Sequence, residues 1–190
     1  MLPSSIPIPL PGGLHRPLPK FISVAQKFST ETLPDIDAAI AKEFAKYSDI
    51  DLSGKSIAIS VGSRGIKQIV PVVSAVIREL QGAGAKPFII PAMGSHGGGS
   101  AEGQAAVLTS YGVTEDAMGV PVKSSLDVVE LGRIDLDVLV FCDKYAYKAD
   151  YIVMCNRIKP HTDFRAKHES GLIKMIAIGL GKHAGATALH

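Results

Sequence analysis

Apolar and polar positions along this chain alternate in blocks that predict strands followed by helices. The short, continuously apolar segments KSIAISVG and KPFIIPAMG are typical of buried strands. Each precedes a segment with apolar residues at helical spacing, IKQIVPVVSAVIRELQGAG and SAEGQAAVLTSYG, and Ser100 is the predicted N-cap of the latter helix. Strands that are apolar on both faces occur in sheets covered on both sides. The pattern therefore predicts an α/β, layered, Rossmann-like domain with a mostly parallel sheet and helices on both faces.

The second half of the chain continues the alternation. VPVKSS and VVELG predict short strands, and LDVLVFCD, YIVMCNRI and GLIKMIAIGLG predict further apolar strands before a helix that begins at HAGATALH. Because the chain stops at His190, inside that helix, we expect further chain to follow.

Residues 1–50 differ from the rest. They begin with a Pro/Gly-rich lead that predicts extended segments, and LPDIDAAIAKEFAKYSD then predicts a helix that Pro34 can start. We predict a single domain over residues 1–190, in which residues 51–190 form the alternating core.

Composition and charge exclude several classes of protein. The 190 residues are 46% hydrophobic and 20% charged, which suits a globular domain with a sizeable core. A net charge of +2, no dense run of Lys/Arg and 6% aromatic residues argue against a nucleic-acid or anionic-lipid surface. The two cysteines, Cys142 and Cys155, lie in apolar segments without a CxxC motif, and no signal peptide or membrane-span pattern is present. These features predict a cytoplasmic protein.

Two predicted strands end in glycine-rich turns that open onto helices, SVGSRG and AMGSHGGGS. Such turns gather at one edge of a parallel sheet, where α/β folds bind ligands and helix N-termini attract anions. Arg64 in the first turn could bind a phosphate or carboxylate as a bidentate fork. Neither turn matches GxGxxG, so simple turn geometry remains the alternative explanation for these glycines.

His96 in the second turn and His161 after the strand YIVMC are both expected at this edge. An imidazole with an ordinary pKa of about 6.5 suits proton transfer at neutral pH, so the two histidines are a candidate acid/base pair. His183 and His190 lie seven residues apart and could share a helix face. Two imidazoles without a third ligand are weak evidence for a zinc site.

Lys174 interrupts the apolar segment GLIKMIAIGLG. Lysine is rarely buried without a partner, and desolvation of a lysine amine makes it a better nucleophile. The alternative is a lysine at a strand edge, with only its aliphatic stem buried.

The ordered set GSRG, GSHGGG, NRIKPHTDF, GLIKMIAIGLG and His190 resembles the N-terminal domain of the nickel-dependent lactate racemase family. The resemblance covers most of the chain from about Ser56 onward. It implies a nickel-pincer nucleotide, a pyridinium mononucleotide with two sulfur arms and a carbon bound to nickel. By motif, Lys174 corresponds to the lysine that tethers this cofactor through a thioamide, and His190 to the nickel ligand, with His183 as a rival.

The same resemblance implies that His96 and His161 are the acid/base pair and that Arg64 faces the substrate. The cofactor turns would contribute Gly62, Ser63 and Gly97. The chain departs from the family in the interval of thirteen residues between His161 and Lys174, a few more than usual, and in a first turn that lacks an acidic residue. These departures indicate a divergent homologue.

The function that the resemblance implies is an isomerase, a racemase or epimerase of a small 2-hydroxy acid, which transfers hydride reversibly through the nickel-pincer nucleotide. The family's C-terminal domain is absent from these residues, so we expect that domain, or a second copy of the chain, to complete the site. The alternatives are a non-catalytic α/β module that binds anions or nucleotides, and a histidine-based metal-binding module.

Overall fold

The computed structural model describes residues 20–29, 31–63, 66–161, 165–167 and 169–189. The chain divides into two compact units, Met1–Thr32 and Leu33–His190. The described part of the first unit has no helix or strand. The regular structure that positions the candidate site lies in the second unit.

In the described residues, strands and helices of the second unit largely alternate. The helices are α1 (Ile36–Phe44), α2 (Ile69–Gly82), α3 (Ala101–Ser110), α4 (Glu115–Met118), α5 (Lys144–Lys148), α6 (Leu172–Lys174) and α7 (Lys182–Leu189). The strands are β1 (Ser56–Val61), β2 (Lys86–Pro91), β3 (Val128–Ile134), β4 (Val138–Asp143) and β5 (Tyr151–Cys155). None of these helices, as far as the chain is described, is long and apolar enough to cross a membrane.

The main sheet has three parallel strands in the order β2-β1-β5. Ile59 of β1 pairs with Ile89 of β2 on one side and with Val153 of β5 on the other. Side chains of β1 alternate between two apolar layers. One layer packs the sheet against α2, through Ile57, Ile59, Val61, Val73, Ile77 and Leu80. The opposite layer packs it against α5 and Leu180, through Ala58, Phe88, Ile90, Cys142 and Ala146. The predicted layered α/β fold, with helices on both faces, is confirmed.

The segment before β3 and the pair β3–β4 lie outside this main sheet. β3 and β4 pair with each other as an antiparallel hairpin. The segment VPVKSS, expected to be a strand, makes only an isolated bridge between Val122 and Ile89. Pro121 within the segment has no N–H to donate to a ladder, which limits its pairing with β2.

The prediction of a strand at GLIKMIAIGLG is wrong, because this segment is helical. Helix α6 continues directly into a π-helical turn over Met175–Gly179, in which the Leu180 N–H donates to the Met175 carbonyl at 3.0 Å. Close packing favours the helix: a Cβ on Gly181 would stand 2.6 Å from the Ala177 carbonyl oxygen and 2.8 Å from the Gly185 Cα. The segment therefore packs backbone against backbone with α7, which a strand would not allow.

Polar side chains cap the N-termini of α1, α3 and α5. Ser100 is the N-cap of α3 as predicted, and its hydroxyl accepts from the Gly103 N–H at 3.0 Å. Asp35 caps α1 by accepting from the Ala38 N–H at 2.9 Å. Asp143 caps α5 and so fixes the corner between β4 and that helix.

Candidate functional site

A cavity of about 480 Å³ opens where the chain leaves the carboxyl ends of β1, β2 and β5. This is the edge at which parallel α/β sheets bind ligands, and the volume suits a small molecule. The cavity is lined by Ser63, Met93, Ser95, His96, Lys159, His161, Ser170, Lys174, Met175, Ile178 and Ala186. Four residues predicted from sequence as catalytic or cofactor-binding therefore meet there: Ser63, His96, His161 and Lys174.

Of the other predicted residues, Gly62, Gly97 and His183 are described but are not among the residues that line the cavity. Gly62 lies beside Asn156, whose Oδ1 would be 2.0 Å from a Cβ at that position, so a larger residue in the turn after β1 would have to displace the Asn156 amide. Gly97 has a positive φ of 67°, and a Cβ there would stand 2.7 Å from the Gln104 nitrogen. At both positions the absence of a side chain lets a neighbouring residue pack directly against the backbone. Arg64 and His190 lie outside the described residues.

The turn after β1 and the turn after β2 are joined by a side-chain hydrogen bond. Ser63 Oγ, which follows β1, pairs with His96 Nδ1, which follows β2. The Tyr111 hydroxyl, just beyond α3, donates to the Ser63 carbonyl and holds that turn from the opposite side. The imidazole of His96 is consequently tethered through Nδ1, with its ring at the cavity wall.

His161 and Lys174 form a second pair in the cavity. His161 Nε2 lies 3.3 Å from Lys174 Nζ, although thirteen residues separate them along the chain. The His161 backbone N–H donates to Glu169 Oε2 at 2.9 Å, and the Ala166 N–H donates to Glu169 Oε1 at 3.3 Å. The hydrogen bond from the His161 N–H is the main cause that lowers the pKa of Glu169. Glu169 therefore stays ionised and secures the segment that carries His161.

The charge of the cavity favours anions. Lys159 and Lys174 both line it, and Ser63, Ser95 and Ser170 contribute hydroxyl groups. The described lining residues include no Asp or Glu. Two ammonium groups and several hydroxyl donors around one small volume suit a carboxylate or a phosphate.

The buried lysine of this region is Lys182, not Lys174. Lys174 is only partly buried, whereas Lys182 is 0% exposed and was not anticipated from the sequence. Its Nζ lies 2.9 Å from Oδ2 of the equally buried Asp143 and donates to the Pro91 carbonyl. Burial lowers the pKa of Lys182, and the attraction of Asp143 opposes that shift. The two charges stabilise each other beneath the cavity.

A metal site of ordinary protein ligands does not appear in the described residues, which hold no group of three or more His, Cys, Asp or Glu side chains suited to a metal ion. His183, the rival nickel ligand, is exposed on the first turn of α7. Its Cδ2 lies 3.5 Å from the position that a Cβ on Gly99 would take, so it sits against the glycine-rich turn of His96.

Comparisons with known proteins add no family assignment. No protein-family model matches this sequence, and no curated protein matches it. The resemblance to nickel-dependent lactate racemases therefore stays a prediction that depends on the motifs and on the geometry of the cavity.

Proposed function

We propose that this chain forms part of an isomerase that racemises or epimerises a small 2-hydroxy acid through a lysine-tethered nickel-pincer nucleotide. The observation that carries the proposal is the cavity itself: it brings Lys174 to 3.3 Å from His161 and places His96 in the same lining. These are the three described residues to which the motifs give a covalent or acid/base role. We also propose that the protein is cytoplasmic, and that the family's C-terminal domain or a second copy of the chain completes the site.

The described residues fit such a cofactor in two respects. The terminal amine of Lys174 lies at the cavity, where a thioamide link could form, and the lysine and serine lining suits the phosphate of a mononucleotide. His190, the proposed nickel ligand, lies outside the described residues. When bound, the cofactor would supply a carbon that takes hydride from the substrate and returns it.

The protein's part in this reaction is proton transfer, positioning and exclusion of water. One imidazole, from His96 or His161, would accept the hydroxyl proton of the substrate as hydride leaves the substrate carbon. When hydride returns to that carbon, an imidazolium would give a proton back to the oxygen and so regenerate the alcohol. The hydrogen bond between Ser63 Oγ and His96 Nδ1 fixes the position of that ring at the cavity wall. Met93, Met175 and Ile178 give the cavity an apolar wall that limits water.

A second candidate is supported by the same cationic lining: an α/β module that binds an anion or a nucleotide reversibly, without turnover. This candidate needs the charge of Lys159 and Lys174 but no covalent bond to either. The two proposals therefore differ in what happens to the Lys174 amine.

Intact-mass spectrometry under denaturing conditions distinguishes the isomerase from the binding module. The whole natural chain is produced in a host that makes the pincer cofactor, as wild type, Lys174→Met and Lys159→Met. We expect a mass increment on wild type and on Lys159→Met, and none on Lys174→Met. Lys159 is the matched control because it lines the same cavity. No increment on the wild-type whole chain would overturn the tether and leave the binding module.

Activity is measured on the same preparations. We expect wild type to convert one enantiomer of lactate, or of another short 2-hydroxy acid, into a mixture of both on chiral chromatography. His96→Gln and His161→Gln should keep the mass increment but lose most of the conversion, because general acid/base catalysis contributes about 10²–10⁴-fold. Full activity in both histidine variants would contradict their assigned roles.

A further inference from the structure

Gln104 is a fully buried amide directly behind the turn that carries His96. It is 0% exposed, and its Nε2 donates to the Gly94 carbonyl at 2.8 Å and approaches the His96 carbonyl at 3.4 Å. These two carbonyls flank Ser95 and belong to the turn whose Ser95 and His96 side chains line the cavity. A buried amide must satisfy both its donor and its acceptor, so its orientation is tightly constrained.

Lys182 sets that orientation. Its Nζ lies 3.5 Å from Gln104 Oε1, and because an ammonium can only donate, the oxygen of the amide must face it and the nitrogen must face the turn. The ammonium is itself held by Asp143 at 2.9 Å and by the Pro91 carbonyl at the end of β2. A chain of polar contacts thus runs from the buried ion pair through Gln104 to the backbone on both sides of Ser95.

The turn has little freedom to move away from α3. Gly97, Gly98 and Gly99 all have positive φ angles, and a Cβ on Gly103 would stand only 1.8 Å from the Gly97 carbonyl oxygen. Ser100 caps α3 at the point where the turn ends. Backbone packing therefore fixes the far end of the turn, and the Gln104 amide fixes the end that holds Gly94 and His96.

We propose that Gln104, oriented by the Lys182–Asp143 ion pair, is a positioning residue that holds His96 at the cavity wall. The proposal rests on the proposed function only for the use to which His96 is put. Loss of the amide should loosen the turn and release the imidazole from Ser63, while His161, which follows β5, keeps its own contacts with Lys174 and Glu169.

The test measures the carbethoxylation of individual histidines by diethyl pyrocarbonate at about pH 8, where an imidazole of ordinary pKa is neutral. Peptide mass spectrometry gives the rate at His96 relative to His161 in the same sample. The variants are Gln104→Met, which removes the amide, and Gln104→Glu, which keeps an acceptor for Lys182 and removes the donor to Gly94. The control is Glu102→Gln, an exposed position on the same helix. Far-UV circular dichroism confirms that each variant is folded.

We expect the relative rate at His96 to rise several-fold in both Gln104 variants and to stay at the wild-type value in Glu102→Gln. A wild-type rate in a folded Gln104→Met or Gln104→Glu protein would overturn the positioning role. If the methionine variant does not fold, the glutamate variant alone decides, because it retains the contact with the ion pair. The readout needs no bound cofactor, so a chain without a mass increment at Lys174 still tests it.

Discussion

Replacing Lys182 by methionine removes a buried ammonium and leaves the Asp143 carboxylate without its counter-charge. Both side chains are 0% exposed, and their charged atoms lie 2.9 Å apart. Methionine is close to lysine in length and volume, so the loss of packing is small. The substitution therefore removes the ammonium together with its contacts to Asp143, the Pro91 carbonyl and Gln104 Oε1, and its effect reports what this group contributes to the folded state.

The free energy of unfolding should fall by about 3–5 kcal/mol, the usual cost of removing one partner from a buried ion pair. Two contacts of Asp143 remain and favour the lower end of that range: its Oδ1 accepts from the Tyr145 N–H at 2.7 Å and the Ala146 N–H at 2.9 Å. For a domain with a total stability of about 5–15 kcal/mol, the loss is a large fraction of the whole.

Urea unfolding at neutral pH, followed by far-UV circular dichroism, measures this loss. The double variant Lys182→Met/Asp143→Asn removes both charges and keeps an acceptor for the two N–H groups, so it should recover the part of the loss that comes from the unpaired Asp143 carboxylate. Lys144→Met is the surface control, because Lys144 pairs with Asp127 at 3.1 Å with 45% of its own side chain exposed. That variant should change stability by less than about 1 kcal/mol. Wild-type stability in Lys182→Met, or no recovery in the double variant, would refute the reasoning.

Two further predictions concern glycine substitutions after β1 and at the end of α2, and the acidic residue that precedes β5. Gly62→Ala should destabilise the fold by about 1 kcal/mol in urea unfolding, the lower end of the cost of overpacking, because the Asn156 amide can turn away from a Cβ that its Oδ1 would meet at 2.0 Å. Gly82→Ala, with nothing within 4 Å, should instead stabilise the fold by about 0.5–1 kcal/mol. Hydrogen bonds from the Ser56 hydroxyl and N–H lower the pKa of Asp150 from 3.8, so its contribution is present above that pH and is lost as the pH falls through the lowered value. Asp150→Asn should therefore lose stability at about pH 6, and the loss should shrink as the pH falls below 3.8 and passes through the lowered pKa; a loss that does not change with pH would contradict this.

The order of strands and turns was predictable because it depends on local pattern. Continuously apolar segments between glycine-rich turns predict parallel strands, and the turns that follow such strands meet at one edge of the sheet. This is why Ser63, His96 and His161 could be predicted at a common site from positions far apart in the sequence. Their neighbours Ser95, Lys159 and Ser170 were missed because serine and lysine in a loop carry no pattern that separates a ligand from a solvated side chain.

The segment around Lys174 shows where local pattern fails. A short apolar run does not distinguish a strand from a buried helix, and the spacing of small residues was the informative signal. Ala177, Gly181 and Gly185 are small residues spaced four apart, and their size allows the backbone contact between the π-helical turn and the start of α7 that the structure contains.

That contact also explains why Lys182, which the sequence pattern did not single out, is the buried lysine of this region. Gly181 brings the chain close enough to the π-helical turn to force a sharp change of direction, and Lys182 adopts a left-handed φ of 55° immediately after it. A non-glycine residue in that region is strained, and such strain persists when surrounding contacts fix the residue in place. Here Asp143 and Gln104 supply those contacts. The partners lie 39 and 78 residues away along the chain, so only the folded sheet could reveal which lysine is buried.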